Sequence, residues 1–270
     1  MSGFIYKNKS TETILSSSRL IIATFDEVNE VVGHERENVL GNNTLSRPIA
    51  NEYGTLYNRV SFEYTLIKEN LEPFTDEEQK TVETWLSSPK YDSDIQLIDC
   101  YGYTNNIYTG KFINTRWLTS AGGWVGVAFV FECNSPYPHV HYEHNYTITD
   151  TRVITLNCKS DELEEYTYPT LTLFASNGAN TVLITNITDD DHSMSIDLPN
   201  RLNVVIDCHH CILSDGTTEG IVDFEDVGWA DVGNIYWMRL LAGDNTITVN
   251  GNCQLKIEYD AVSKKVGGWL

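Results

Sequence analysis

The fold of this chain is decided by residues 237–259, WMRLLAGDNTITVNGNCQLKIEY. From Ile247 to Tyr259 the apolar side chains share one parity, and polar side chains such as Lys256 occupy the other. A period of two is typical of strands with one buried and one solvated face. The dipeptide Asn250-Gly251 predicts a type I′ hairpin turn, and residues 242–245 have the chemistry of a slightly longer hairpin loop. The stretch predicts a β-meander without a reactive group, which favours a structural or binding role.

Length and composition set the fold class. The 270 residues are enough for two ordinary domains or one large β-sandwich. The composition is that of a globular protein, with 41% hydrophobic and 11% aromatic residues. Thr, Asn, Val, Ile and Tyr are plentiful and Ala is sparse, which favours strands over helices. We therefore expect a mainly β protein.

The formal net charge of −20 limits the classes of partner. Nucleic acid binding needs a stripe of Lys and Arg to replace counterions, so we expect no sequence-specific nucleic-acid binding. An acidic surface does suit a channel that DNA must pass without adhering. The sequence has no apolar run of 18 residues and no signal-peptide pattern near its start, so we expect no membrane partner. We expect synthesis in a cytoplasm, where the six cysteines stay reduced.

The first half of the sequence contains one clear helix. Thr75 and Glu78 form a capping box, and Val82, Trp85 and Leu86 form an apolar stripe that should cover a sheet. Strands are predicted at residues 3–7, 19–25, 59–68, 95–100, 108–116 and 125–133.

Residues 33–58 are polar, rich in turn formers and poor in apolar side chains. A stretch of this length without an apolar face cannot build its own core. We therefore interpret it as a mobile loop or as an arm that becomes ordered against a partner.

The second half predicts nine short strands, at residues 153–158, 170–175, 181–187, 193–198, 202–208, 222–224, 236–241, 246–249 and 253–259. Their number and spacing favour an antiparallel sandwich. The strand pattern lapses between Pro136 and Asn145, where we place a domain boundary. The predicted domains are residues 1–140 and 150–270.

Three motifs could bind metal, and each also has a simple structural interpretation. His139, His141 and Glu143 would share one face of an extended segment, but a linker containing histidines fits as well. Cys208-His209-His210-Cys211 is half of a zinc site or the end of a strand. Asp189-Asp190-Asp191 is a weak calcium site or a solvated hairpin tip. Because no motif is complete and no catalytic signature is present, we predict no metal, no cofactor and no enzyme activity.

The order of elements resembles that of the phage distal tail protein family over almost the whole chain. The resemblance is carried by the opening strand FIYKNKS at 4–10, the capped helix ending in Trp85-Leu86, and FECNSPY at 131–137. In the second half it is carried by residues 202–207 and by WMRLLAGDNTI at 237–247. Two positions depart from the family pattern. Lys9 replaces the usual Gly after Asn, and Ala242 replaces a frequent Pro, so these two turns should differ locally.

The resemblance implies an N-terminal β-sandwich-like domain that forms a homo-hexameric ring and a C-terminal galectin-like antiparallel β-sandwich. It implies that residues 33–58 form a long hairpin arm that wraps a neighbouring subunit, with Arg36, Arg47, Pro48 and Tyr53 as contact residues. The implied partners are the major tail tube protein, the tail-associated lysin or tip protein, and a receptor-binding protein. The implied location is the virion, at the tail tip, in a phage of a Gram-positive host.

A different class of function stays open, namely a carbohydrate-binding module for a host cell-surface saccharide. Such sites stack sugars on aromatic rings, and Trp229 and Tyr236 are the candidate contacts. Trp237 is a third candidate, although its place in an alternating run favours a core position.

Overall fold

A computed structural model describes residues 3–23, 36–41, 52–87, 90–98, 105–175, 180–198, 203–217, 220, 222–229 and 235–264. The chain is mainly β, and its described part has one α-helix. It divides into two compact units: the chain up to His139 together with Lys264 forms the first, and Val140–Ser263 forms the second. No helix of the described part is long and apolar enough to cross a membrane.

The elements of the first unit follow one another along the chain. They are β1 (Gly3–Tyr6), β2 (Lys9–Ser10), β3 (Leu20–Ala23), β4 (Arg36–Leu40), β5 (Glu52–Tyr57), β6 (Ser61–Lys68), α1 (Asp76–Ser87), β7 (Ser93–Ile98), β8 (Ile107–Ser120) and β9 (Gly123–Cys133). Seven strands pair antiparallel in the order β2-β1-β7-β8-β9-β6-β3, and β4 pairs only with β5. Aromatic rings fill the core, since Phe112 lies edge-on to Tyr6, Phe129 and Phe131 at centroid distances of 4.8–5.0 Å.

The predicted helix and its capping box are confirmed. The Thr75 N–H donates to the Glu78 carboxylate at 2.8 Å, and the Glu78 N–H donates to the Thr75 hydroxyl at 3.3 Å. The apolar stripe of Val82, Trp85 and Leu86 is buried as predicted. Trp85 stacks on Phe4 at 5.3 Å and donates its indole N–H to the Tyr6 carbonyl at 2.9 Å. The helix is thereby attached to β1.

Glu78 also forms a buried ion pair with Lys68, at 3.2 Å. The Lys68 side chain is only 3% exposed and that of Glu78 only 14%. Desolvation alone would raise the pKa of Glu78. Hydrogen bonds from the Ser17 hydroxyl, the Thr75 N–H and Lys68 outweigh it and lower the pKa from 4.5 to about 2.

We expect Glu78→Gln to destabilise the first unit by about 3 kcal/mol, because it leaves the Lys68 ammonium buried without a counter-ion. In the wild type, the Glu78 contribution should be fully present above pH 4.5 and lost as the pH falls toward 2, since the folded-state pKa is the lower one. Urea unfolding of the full chain, monitored by hydrogen exchange, measures both the loss of stability in the variant and the pH dependence in the wild type. The control is Glu78→Gln with Lys68→Met, which removes both charges and should cost less than the single change. Equal stability of wild type and single variant would contradict this account.

The elements of the second unit begin with β10, which crosses the boundary. They are β10 (His139–Ile148), β11 (Thr151–Cys158), β12 (Thr170–Phe174), β13 (Asn180–Asn186), β14 (His192–Leu198), β15 (Asn203–Asp207), β16 (Ile212–Ser214), a 3-10 helix (Phe224–Val227), β17 (Gly243–Asn250) and β18 (Cys253–Val262). One sheet has the order β11-β17-β13-β14, and the strands opposite it have the order β16-β15-β12-β18-β10. Ile154, Ile184 and Ile247 from the first sheet and Leu171 and Ile257 from the second share one buried core. This is an antiparallel β-sandwich, as predicted.

The predicted meander is wrong in its pairing, although the parity is right. Ile247, Val249, Leu255 and Ile257 are all buried, as the alternation predicts. However, β17 pairs with β11 and β13 while β18 pairs with β12, so the chain crosses from one sheet to the other at residues 251 and 252. Gly251 has φ of 130°, and a Cβ there would lie 2.9 Å from the Thr181 carbonyl oxygen. The glycine therefore permits a close backbone crossing and does not form a type I′ hairpin.

Three further predictions in this unit are wrong. Residues 139–148 form β10, where the pattern was expected to lapse. Residues 224–227 form a 3-10 helix where a strand was expected at 222–224. Residues 236–241 form no strand and have only an isolated bridge from Leu240 to Thr167, although Met238 and Leu240 are buried. Alternating burial thus occurs here without strand pairing.

Candidate functional site

Connections between the strands of the second unit meet around a pocket of about 610 Å³. They are the residues before β12, the β13–β14 turn, the β15–β16 turn, and residues 235–239. The lining includes the rings of Tyr168, Tyr236 and Trp237, the imidazoles of His192 and His209, and the guanidinium of Arg239. None of the described residues that line it is acidic. A pocket whose described lining has no acidic side chain is unusual in a chain of net charge −20.

A buried carboxylate fixes one wall of this pocket. The Asp189 side chain is 3% exposed, and its Oδ2 accepts hydrogen bonds from the Tyr236 hydroxyl at 2.7 Å and the Arg239 Nε at 2.8 Å. The His192 Nδ1 lies 2.6 Å from the Asp189 carbonyl oxygen, and its ring stacks on Tyr236 with centroids 5.2 Å apart. The positions of Tyr236, Arg239 and His192 are therefore set by one residue of the β13–β14 turn.

The charges in this wall are settled by the same contacts. Burial would raise the pKa of Asp189, but hydrogen bonds from Arg239 and Tyr236 outweigh it and hold the pKa below 3.8. Burial and the bond to Asp189 together raise the pKa of Tyr236 well above its usual value. Near neutral pH the wall consists of a carboxylate, a guanidinium and a neutral phenol. The opposite charges of Asp189 and Arg239 neutralise each other within this ion pair.

The three aspartates considered as a calcium site do not act together. Asp189 is buried and paired with Arg239, whereas Asp190 and Asp191 are exposed, with φ of 53° and 57° in the turn. The carboxylate of Asp189 is already used by protein donors. Asp189 instead holds the pocket residues Tyr236 and Arg239 in position.

The motif Cys208-His209-His210-Cys211 forms the β15–β16 turn. Asp207 accepts the N–H groups of His209 and His210 at 3.0 Å and contacts the His210 Nδ1 at 2.7 Å. Cys208 is buried and Cys211 is exposed. Burial raises the pKa of the Cys208 thiol to about 12, so this sulfur is neither a ready ligand nor a nucleophile.

The histidines near residue 140 lie on β10. The His141 Nδ1 is 2.8 Å from an Asp260 carboxylate oxygen on β18, and its Nε2 is 3.8 Å from Glu258. His144 instead stacks on Tyr259 at 5.9 Å, so it is not directed with His141. In the part of the chain that the structure describes, no group of three or more His, Cys, Asp or Glu side chains is placed to hold a metal ion.

The predicted arm is described in part, as the antiparallel hairpin of β4 and β5. Tyr53 is 72% exposed and lies beside Gly41. Arg36 begins β4, while Arg47 and Pro48 lie outside the described residues. The expectation that the arm has no apolar face is wrong for this part, because Val39 and Leu56 lie exposed on the same face of the hairpin. The other exposed apolar side chains of the hairpin are Leu40, Tyr53 and Tyr57.

The two predicted saccharide contacts occupy different environments. Tyr236 lines the pocket. Trp229 is 7% exposed, donates its indole N–H to the Ser195 carbonyl, and packs its ring on Phe224 and Trp237. Sequence reasoning did not identify Arg239 or His192 as site residues. The only signal for Arg239 was a single charge inside the apolar run at 237–241.

Two family models match the sequence. A model described as a phage tail protein N-terminal domain matches residues 1–135, and one described as a phage tail C-terminal domain matches residues 139–259. No curated protein matches at a significant level.

Solved phage structures share the fold. The SPP1 Dit protein, described as a paradigm of the hub adsorption apparatus in phages that infect Gram-positive bacteria, is 13% identical with a TM-score of 0.62. That match covers 97% of this chain and 99% of the SPP1 chain. A chain of the phage P2 baseplate in its activated conformation with Ca is 10% identical, with 98% and 100% coverage and a TM-score of 0.57. The P2 baseplate with Sr gives 10% identity, 96% and 98% coverage, and a TM-score of 0.56.

Proposed function

The chain belongs to the phage tail protein family, and we propose that it is the distal tail hub, a homo-hexameric ring linking the tail tube to the tail tip and host-adsorption device. Its proposed partners are the major tail tube protein on one side and the tail-associated lysin or tip protein on the other, with a receptor-binding protein attached to the tip. The proposed location is the tail tip of the virion, after synthesis in the cytoplasm of a Gram-positive host. The role is structural and requires neither enzyme activity nor a cofactor.

The observation that carries the proposal is the exposed hairpin of β4 and β5. Its large apolar side chains are open to solvent in the single chain, with Leu40 and Leu56 each 56% exposed and Tyr53 72% exposed. A two-stranded hairpin is marginally stable by itself in water, and exposed apolar groups concentrated on it favour a protein partner. A neighbouring copy in a ring supplies such a surface for every subunit.

Two further features support the hub. The solved structures with this fold are described as a hub protein and as baseplate chains, and the matches span nearly the full length of both chains. The net charge of −20 suits a ring around a DNA channel, because an acidic wall does not retain the phosphate backbone.

Light scattering of the purified full chain tests the ring. We expect a mass six times that of one chain, and electron microscopy should show the ring at one end of tubes of the tail tube protein. A monomer at micromolar concentration, with no binding to these tubes, would refute the hub. Carbohydrate binding stays the second candidate function, and the pocket beside Tyr236 is the observation that favours it.

A further inference from the structure

We propose that the pocket lined by Tyr236, Arg239, His192 and His209 is a binding site for a sugar that bears a carboxylate or phosphate group. Its volume of about 610 Å³ lies within the usual range for small-molecule sites, roughly 300–1,000 Å³. This proposal does not depend on the hub. A hexamer that binds no sugar would refute only the sugar site, and a monomer that binds sugar would refute only the hub.

The aromatic lining supplies the surface for a sugar ring. Tyr168 and Tyr236 are partly exposed, and Trp237 lies beside them. Such rings offer an apolar face to the C–H groups of a sugar while polar groups at their edges bind its hydroxyls. His192 stacks on one face of the Tyr236 ring, with centroids 5.2 Å apart, and fixes the orientation of that ring.

Arg239 supplies the group that favours an anion. Its Nε is bound to Asp189, and its guanidinium carbon lies 4.1 Å from the centroid of the Tyr166 ring. Among the described residues, this Nε contact is the one polar bond the guanidinium makes. The two Nη groups are therefore left to donate to a ligand, and a guanidinium matches a carboxylate or phosphate by paired hydrogen bonds.

The imidazoles complete the polar side of the site. Because a carbonyl oxygen only accepts, His192 must donate from Nδ1 to Asp189, and its Nε2 is then free to accept from a sugar hydroxyl when the ring is neutral. His209 has an exposed ring, and the adjacent His210 is held by Asp207. The lining thus combines donors and acceptors, and the carboxylate directly behind it, that of Asp189, is paired with Arg239.

The pocket side chains are held in position by contacts within the protein. Asp189 holds Tyr236, Arg239 and His192 in place, and its burial means that the contacts are not exchanged with water. A preorganised site loses little conformational entropy when a ligand binds. Loops positioned by a rigid sandwich are also where binding residues concentrate.

Isothermal titration of the full chain with four probes tests the proposal: glucuronic acid, glucose 6-phosphate, glucose and inorganic phosphate, each up to about 10 mM at 0.15 M salt. We expect both acidic sugars to bind about 10-fold to 100-fold more tightly than glucose or phosphate, because only they use the rings and Arg239 together. Arg239→Lys keeps the charge beside Asp189 but loses the paired donors, and should reduce binding of the acidic sugars to the level of glucose.

His209→Ala alters an exposed side chain and should weaken binding several-fold, which keeps the test informative if Arg239→Lys fails to fold. The matched control is His141→Ala, which removes an aspartate-paired histidine that does not line the pocket and should leave binding unchanged. Binding of glucose as tightly as the acidic sugars would overturn the anion preference. Phosphate binding as tightly as glucose 6-phosphate would overturn the sugar site, and no binding of any probe would overturn both.

Discussion

Replacing Ile257 by Asp should unfold the second unit of this protein. Ile257 is 0% exposed on β18 and lies opposite Leu171 of β12 within the shared core of the sandwich. Aspartate at this position would place an unpaired carboxylate among apolar side chains, at a cost of about 5 kcal/mol or more. That cost is comparable to the entire stability of a typical domain, roughly 5–15 kcal/mol.

Hydrogen exchange followed by mass spectrometry of the full chain measures this effect by region. Peptides from residues 151–262 should lose protection, while peptides from residues 61–133 should keep it, because the two units have separate cores. Ile257→Val is the conservative control and should cost only about 1 kcal/mol. Gln254→Asp adds the same charge at an exposed position of β18 and should be tolerated. Full protection of the Ile257→Asp variant would show that this face of β18 is not a core face.

Replacing Leu56 by Asp should convert the proposed ring into monomers. Leu56 is 56% exposed on β5, and the register of the hairpin places it on the same face as Val39. If this face packs on a neighbouring subunit, the variant buries an unpaired charge at every interface of the ring. The single chain should remain folded, since Leu56 is half exposed within it.

The matched control for this variant is Thr55→Asp. Thr55 is the adjacent residue of β5, and its side chain lies on the opposite face, beside Asn38. It adds the same charge to the same hairpin, so a general effect of charge would appear in both variants. Light scattering should give a monomer for Leu56→Asp and the wild-type mass for Thr55→Asp. An intact ring with Leu56→Asp would exclude this face as the subunit contact.

Local chemistry made several features of this protein predictable. The capping box of Thr75 and Glu78 requires only residues three apart, so the helix and its buried stripe follow from the sequence. The parity of residues 247–259 depends only on the pleat of a strand, and each predicted core position is buried. The mainly β fold likewise follows from short alternating segments and turn residues.

Strand partners and the pocket were decided by the tertiary structure. Alternation states which face of a strand is buried but not which strand lies beside it, so β17 and β18 read as a hairpin although they belong to opposite sheets. β10 was missed because three successive inward positions hold Tyr142, His144 and Tyr146 in place of aliphatic side chains; the two tyrosines pack on the core and His144 stacks on the buried Tyr259.

The pocket shows the same limit most clearly. Asp189 and Arg239 are 50 residues apart in sequence, and their 2.8 Å contact arises only when two connections of the sandwich meet. The sequence by itself therefore determined the secondary structure of the helix and most strands, and which of their side chains are buried, because these depend on residues a few positions apart. The tertiary structure alone decided the sheet order and the assembly of the pocket, because both depend on contacts between segments that the sequence keeps far apart.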